Sequence, residues 1–416
     1  MYGVVLATVL INAVVCDDLL AVVVIYRHGD RTPIQPYPTD PYRNASYWPV
    51  GFGQLTNVSY TLLGKMQHYL LGKWLRDRYA SFLSPHYSEK DFYLRSTDAD
   101  RTLMSAEANL AGLYPPHADQ IWDPAIPWQP IPIHTMPELE DNLLSMKKNC
   151  PKYNLLITQL FKTPYFVNIS HKNHDLYAYL TKNSGTLIAS LESLEYLYNT
   201  MFIETLYNLT LPDWARVVYP SKLKPWADLS FATPCWTQDL ARLKTGPLFH
   251  EIVEHFTNAT KNVTGFLKFR AYSAHDITIA NVLNTMGAFQ VHGPPYASTI
   301  MLELRRGAGE YVNIFYKNSS IVQNITAKGC DFNCKFDDFV SLLRPIVISR
   351  DEWNLECQLE WYYYYHLDDL QYVIYASAGL SFVVFTLSIW MVWRCCKRMP
   401  KGGVTAYTQL PSDEVA

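Results

Sequence analysis

Apolar runs alternate along this chain with amphipathic stretches, and the order of the two periods sets the expected architecture. Residues 21–26 form an unbroken, largely β-branched apolar run that reads as a buried strand. Residues 62–79 carry apolar positions at helical spacing, and residues 91–94 read as a second, short strand. Thr97-Asp98 offers an N-cap to residues 99–113, whose composition is strongly helical. From about 124 to 234 this alternation gives way to prolines and short helical patterns, the clearest over residues 190–206. That change predicts a smaller, mostly helical inserted subdomain. Residues 267–273 resume the alternation as a strand, and residues 278–286 follow as a helix ended by Gly287. Residues 298–305 and 310–316, joined through Gly307-Ala308-Gly309, predict a hairpin. The expected fold is α/β: a large domain with a central, mostly parallel sheet flanked by helices, plus the helical insert.

Two apolar stretches stand outside this pattern. Residues 1–16 read as a signal peptide, although no Lys or Arg precedes the apolar core. Residues 373–393 contain no charged residue and are long enough to span a bilayer. Arg394, Lys397, Arg398 and Lys401 follow at once, so the positive-inside rule leaves residues 394–416 in the cytosol and residues 17–366 outside it. Glycosylation sequons begin at Asn44, Asn57, Asn168, Asn208, Asn258, Asn262, Asn318 and Asn324, and all precede the span, which agrees with this type I topology. Of the 8 cysteines, Cys16 lies at the leader's edge, and Cys395 and Cys396 lie on the cytosolic side as palmitoylation candidates. Cys150, Cys235, Cys330, Cys334 and Cys357 are left in an oxidising compartment, an odd number.

Composition adds limits. At 416 residues and 49% hydrophobic the chain can bury a large core, and a net charge of −3 without a basic run in the body argues against a nucleic-acid surface. Tyr407-Thr408-Gln409-Leu410 in the tail fits a tyrosine-x-x-bulky-apolar sorting signal read by cytosolic adaptors, against the plainer reading of a solvated tail.

The chemistry gathers at three junctions where a strand meets a helix or loop. Arg27-His28-Gly29-Asp30-Arg31-Thr32-Pro33 follows the first strand, Arg95-Ser96-Thr97 the second, and His275-Asp276 the third. The ends of parallel strands are where open α/β sheets place ligands. Arg27, Arg31 and Arg95 offer guanidinium forks that match the charge and acceptor oxygens of a phosphate monoester. Between them His28 is placed to attack phosphorus and form a phosphohistidine that water then hydrolyses. Cationic neighbours favour the neutral imidazole that this attack requires. Asp276 is the natural proton donor to the departing alkoxide, which predicts turnover that rises on the acid side of neutrality. A lone Arg or His at a strand end is more often an ion-pair partner than a catalyst, and His275-Asp276 lacks further ligands for a metal. His68, His86, His117 and His134 read as structural.

These blocks resemble the histidine acid phosphatase family, in its lysosomal and prostatic branch. The likeness runs from about residue 21 to 357 and includes Gly51-Phe52-Gly53-Gln54-Leu55-Thr56, the run from Arg95 through Arg101 to Ala106, and Tyr272-Ser273-Ala274-His275-Asp276. The resemblance implies His28 as nucleophile, Arg27, Arg31, Arg95 and His275 as the phosphate clamp, and Asp276 as proton donor. It further implies small phosphomonoester substrates, no metal or organic cofactor, a homodimer, and disulfides joining Cys150 to Cys357 and Cys330 to Cys334, with Cys235 left over. The family carries one further cysteine pair where this chain has Ile203 and Thr299. The expected home is the lysosomal membrane, with the catalytic domain in the lumen and the cell surface as an alternative. Two other readings stay open: a phosphatase restricted to lysophospholipid, nucleotide or inositol phosphates, and a catalytically silent ectodomain acting as a binding module. Phosphomutase chemistry shares the Arg-His-Gly logic but suits soluble cytosolic proteins.

Overall fold

The computed structural model describes residues 17–56, 64–318, 320–359 and 367–398. The expected leader, Asn57, and the tail residues Tyr407 and Leu410 lie outside them.

The apolar run after the leader becomes β1 (Asp18–Arg27), with Ala21 to Tyr26 fully buried on both faces, as a strand covered by helices on either side requires. β2 (Phe92–Ser96) and β3 (Phe269–Ala274) lie parallel to it in the order β2-β3-β1, with Val22 opposite Phe269 and Arg27 opposite Ala274. The parallel arrangement expected of the sheet holds for these three strands, whose C-terminal ends share one edge. On the other side of β1 the sheet turns antiparallel. β4 (Thr299–Arg306) and β5 (Glu310–Asn318) form the expected hairpin, β6 (Ile321–Ile325) extends it, and the short β7 (Cys334–Lys335) pairs with β5.

Helices cover both faces. α1 (Gly64–Arg78) and α2 (Asp100–Leu113) pack together on one, close enough that a Cβ at Gly72 would stand 2.0 Å from the carbonyl oxygen of Asn109. Leu71, Leu75, Ala106 and Leu110 from this pair meet Val22, Val24 and Tyr26. Between α2 and β3 come α3 (Pro151–Phe161), α4 (Pro164–Lys172), α5 (His174–Ser184), α6 (Leu191–Leu206), α7 (Asp213–Arg216), α8 (Lys224–Ser230) and α9 (Gln238–Thr260), with no strand among the described residues. Helices α5 to α8 share an apolar cluster of their own, including Leu180, Leu194, Met201 and Leu223, which also takes in Tyr37 from the loop after β1. α9 covers the opposite face of the sheet through Phe249, Ile252 and Phe256, together with α10 (Asp276–Thr285) and α11 (Phe336–Leu343). α12 (Arg350–Glu356) leads to Cys357.

The N-cap expected from Thr97-Asp98 is not used. α2 begins at Asp100 after Ala99, which makes no side-chain cap, because the Thr97 hydroxyl is already bonded to the hydroxyl of Thr102 and to His275. The expected bridges are present: Cys150 bonds to Cys357 and Cys330 to Cys334, and Cys235 is a buried free thiol. Ile203 and Thr299, at the positions of the absent bridge, are both fully buried.

The chain divides into two units at residues 358 and 359. The second holds α13 (Leu367–Arg398), in which Tyr372–Arg394 has a mean hydropathy of 1.8. It is the one helix among the described residues long and apolar enough to cross a membrane.

Candidate active site

Parallel pairing brings the three charged junctions together. β1 delivers Arg27 and His28, β3 delivers His275 and Asp276, and α2 starts beside them. Gly29 is required by closeness rather than flexibility: a Cβ there would lie 2.3 Å from the carbonyl oxygen of Gly64, at the start of α1. Its N–H is bonded to the Ser105 hydroxyl on α2, and His68 on α1 donates from Nε2 to the carbonyl of Arg27 at 2.9 Å. His68 is therefore structural, as expected, and it fixes the backbone that carries the motif.

The His28 ring is buried. Its Nδ1 lies 2.7 Å from the carbonyl oxygen of Gly29. A carbonyl only accepts, so Nδ1 carries the proton and Nε2 is left with its lone pair. Burial, then the charges of Arg101 and Arg27, His275 and Arg31, holds its pKa well below the usual histidine value. His275 stands with its ring 5.6 Å from that of His28. Its Nε2 donates to Thr97 at 3.0 Å, and burial and Arg101 push its pKa down to about 3.

Asp276 opens α10, where the helix dipole favours a carboxylate, and its Oδ1 accepts from the N–H of Ile277 at 2.8 Å. Its Oδ2 meets Arg27 Nη2 at 2.7 Å. Burial pushes this carboxyl up, but Arg27, Arg31 and His275 outweigh it and hold the pKa below the usual carboxylate value. Arg27 also donates to the carbonyl of Pro294, and Arg31 Nη2 donates to Asn199 on α6 at 2.9 Å. A cavity of about 460 Å³ opens over Arg31 and Arg101, walled by Ile34, Tyr37, Tyr196 and Leu197 and flanked by Glu138 and Lys147. Residues 34–37 lie in the irregular segment that follows β1.

One expected member points elsewhere. The guanidinium of Arg95 pairs with buried Asp141 at 2.9 Å and touches the sulfur of Met136 at 3.1 Å, so its charge is spent inside the fold. Its place is taken by Arg101, in the first turn of α2. Arg101 Nη2 faces His275 Nδ1 at 3.5 Å, and its charge acts on both His28 and His275. The readable signal was its position: the N-terminal turn of a helix that follows a site strand is an anion-binding place. Glu195 on α6 was likewise not singled out; burial and the charge of Asp276 push it up to about 8. Among the described residues no group of three or more His, Cys, Asp or Glu side chains could hold a metal ion.

The Nε atoms of Arg27, Arg31 and Arg101 are buried without a hydrogen-bond partner among the described residues. Three cationic forks with unfilled donors around one imidazole suit an anion with several acceptor oxygens.

Comparison with known proteins gives the family. The family model of the histidine phosphatase superfamily (branch 2) matches residues 18–317. The chain is 40% identical over 349 residues to the lysosomal acid phosphatase of Xenopus laevis, covering 82% of this chain and 79% of that protein. It is 38% identical over 354 residues to the prostatic acid phosphatase of Homo sapiens, covering 83% and 89%. The solved structure of the Hafnia alvei phytase with tartrate superposes with a TM-score of 0.61 at 17% identity, over 83% of this chain and 99% of that one, a likeness of fold. On sequence and fold together, the chain belongs to the histidine phosphatase superfamily, branch 2.

Proposed function

We propose that this protein is an acid phosphatase that hydrolyses small phosphate monoesters through a phosphohistidine on His28. The observation that carries the reading is a buried imidazole whose Nδ1 is engaged by the Gly29 carbonyl, among guanidiniums whose Nε donors have no partner among the described residues. Arg27, Arg31 and Arg101 bind the phosphoryl oxygens with His275 beside them; Arg101 replaces Arg95 in this set. His28 Nε2 attacks phosphorus, the P–O bond to the alcohol breaks, and Asp276 protonates the leaving oxygen. Asp276 then removes a proton from water, which displaces phosphate from His28.

The pKa directions fit acid conditions. A histidine of ordinary pKa near 6.5 is largely protonated and inert at about pH 5, whereas the downward shift of His28 favours its neutral, attacking form. Asp276 is ionised in the empty site because of Arg27 and Arg31. A bound phosphoryl dianion opposes that guanidinium field and raises the carboxyl back toward the range where it can carry a proton. The kinetic expectation is a loss of turnover as pH rises through that bound-state pKa.

Residues 17–366 are assigned to the lumen, with the insert at about 124–234 as a subdomain, and residues 394–416 to the cytosol. Lysosomal delivery through Tyr407 and Leu410 and a homodimer belong to the same reading. Asn44, Asn168, Asn208, Asn262 and Asn324 are exposed and Asn258 and Asn318 half-buried, which suits glycosylation.

Full-length protein in detergent should hydrolyse p-nitrophenyl phosphate faster at pH 5 than at pH 7.5. His28→Ala should remove more than about three orders of magnitude of kcat. Asp276→Asn should reduce turnover most for alkyl phosphates, whose leaving group needs the proton. Retained activity in His28→Ala sinks the mechanism.

A further inference from the structure

The unfilled donors at the site include one that is not an arginine. Tyr296 lies in Pro294-Pro295-Tyr296, the segment leading into β4, with its ring centroid 4.1 Å from the Arg27 guanidinium and 5.9 Å from the His28 ring. Arg27 is thereby held on three sides, by the ring of Tyr296, the carbonyl of Pro294 and the carboxylate of Asp276. The Tyr296 hydroxyl is buried and has no hydrogen-bond partner among the described residues.

Orphan status alone does not mark a ligand, because the hydroxyls of Tyr26 and Tyr37 are orphaned as well. What sets Tyr296 apart is its company. The charged groups acting on its hydroxyl are Arg31 and Arg27, then Asp30 and Asp276. The guanidiniums are donors only. Asp30 already accepts through Oδ1 from Thr56 and Tyr207, and Asp276 accepts from Arg27 and Ile277. A donor among donors, with the nearby acceptors engaged, is satisfied by an anion whose oxygens enter between the two arginines.

We propose that Tyr296 is a substrate-touching residue: its hydroxyl donates to an oxygen of the phosphoryl group held between Arg27 and Arg31, while its ring sets the plane of Arg27. This assignment rests on the phosphatase reading above. Burial raises the phenol pKa, so the hydroxyl keeps its proton across the working range and remains a donor. The ligand class is a tetrahedral oxyanion, as phosphate monoester or as inorganic phosphate product.

The test is Tyr296→Phe in the full-length chain, which keeps the ring against Arg27 and removes only the hydroxyl. With thermal stability unchanged, kcat/KM for p-nitrophenyl phosphate should fall on the order of tenfold, and the inhibition constant of inorganic phosphate should rise by a similar factor. Tyr296→Leu, which also removes the stacking surface, should lose more. An unchanged phosphate inhibition constant in Tyr296→Phe overturns the proposal, whatever happens to turnover. Should Tyr296→Phe fold poorly, 3-fluorotyrosine at position 296 keeps the hydroxyl, and its fluorine resonance must move when inorganic phosphate is added; a static resonance overturns the proposal too. A wild type that neither turns over nor binds phosphate defeats the phosphatase reading itself. An active wild type, an inert His28→Ala and a Tyr296→Phe equal to wild type defeat only this inference.

Discussion

Two clusters of buried charge border the same sheet, and they are finished in opposite ways. Around Glu303 on β4, which lies opposite Val22 near the start of β1, every acceptor is taken. Oε1 receives Arg78 at 2.7 Å and Tyr79 at 2.9 Å, and Oε2 receives Arg305 at 2.6 Å. The back of the Arg78 guanidinium lies 4.4 Å from the ring centre of Phe315. At the other end of β1, three arginines surround His28 with Nε donors that no described residue fills. A charge cluster that closes on itself holds the fold together, whereas one left open is built for a partner. Arg95 is drawn toward the first kind by its ion pair with Asp141, although its Nε, like those of the site arginines, has no partner among the described residues.

The contrast can be broken at each cluster. Glu303→Gln removes the anion shared by Arg78 and Arg305 and should lower unfolding free energy by about 3 kcal/mol, the lower end for a broken buried pair because both arginines keep some solvent contact. Denaturant titration reads that loss, while kcat/KM per folded molecule should stay at the wild-type value. Arg101→Ala should do the reverse, costing about 10²-fold in kcat/KM with little change in stability, since it loses a donor aimed at the ligand. Arg95→Ala sharpens the distinction: it leaves the buried carboxylate of Asp141 with its backbone donors at Leu143, Leu144 and Ser145 but without its cation, and should appear mainly as lost stability. Equal kinetic defects in Arg95→Ala and Arg101→Ala would undo the assignment of the two arginines.

A third cluster separates folding from pH. Asp40, from the loop over the cavity, and Glu204 on α6 are both buried with their carboxyls against each other, and no other described residue donates to the oxygens of Glu204. Arg43 acts on Asp40, to which the backbone N–H of Tyr42 donates, and the phenols of Tyr37 and Tyr219 feel the charge of Glu204. Burial, then Asp40, pushes Glu204 up to about 9, and Asp40 is raised as well. The folded state therefore keeps a proton that the unfolded chain releases above about pH 4.5. Stability contributed by this pair is present below that pH and declines as pH rises toward 9, by at most about 1.4 kcal/mol per pH unit for one proton. His68 and His255, held down to about 4 and about 3 by burial, work in the opposite sense, since the unfolded chain takes up their protons below about 6.5. Only the difference isolates the pair. Melting temperatures of Glu204→Gln and wild type should diverge in favour of the variant between pH 5 and 8, and parallel curves would remove the shared proton.

How much was legible in the sequence depended on how local the cause was. The β-branched run at residues 21–26 could only be buried, the amphipathic period at 62–79 could only face a core, and charged residues at strand ends announced a ligand edge before any tertiary contact was known. His28 and Asp276 were readable for that reason, because their chemistry follows from the residue type and the junction on which they sit. The three-dimensional packing decided the rest. Alternation along β2 turns Arg95 to the face where Asp141, 46 residues away, pairs with it. The first turn of α2 instead swings Arg101 to His275, 174 residues away. Tyr296 met Arg27, and Glu204 met Asp40, only when distant segments closed around them. Patterns along the chain determine which residues must be buried or stand at an edge. Which donor finds which acceptor is a property of packing, and only packing shows that Arg27, Arg31 and Arg101 gather around one imidazole.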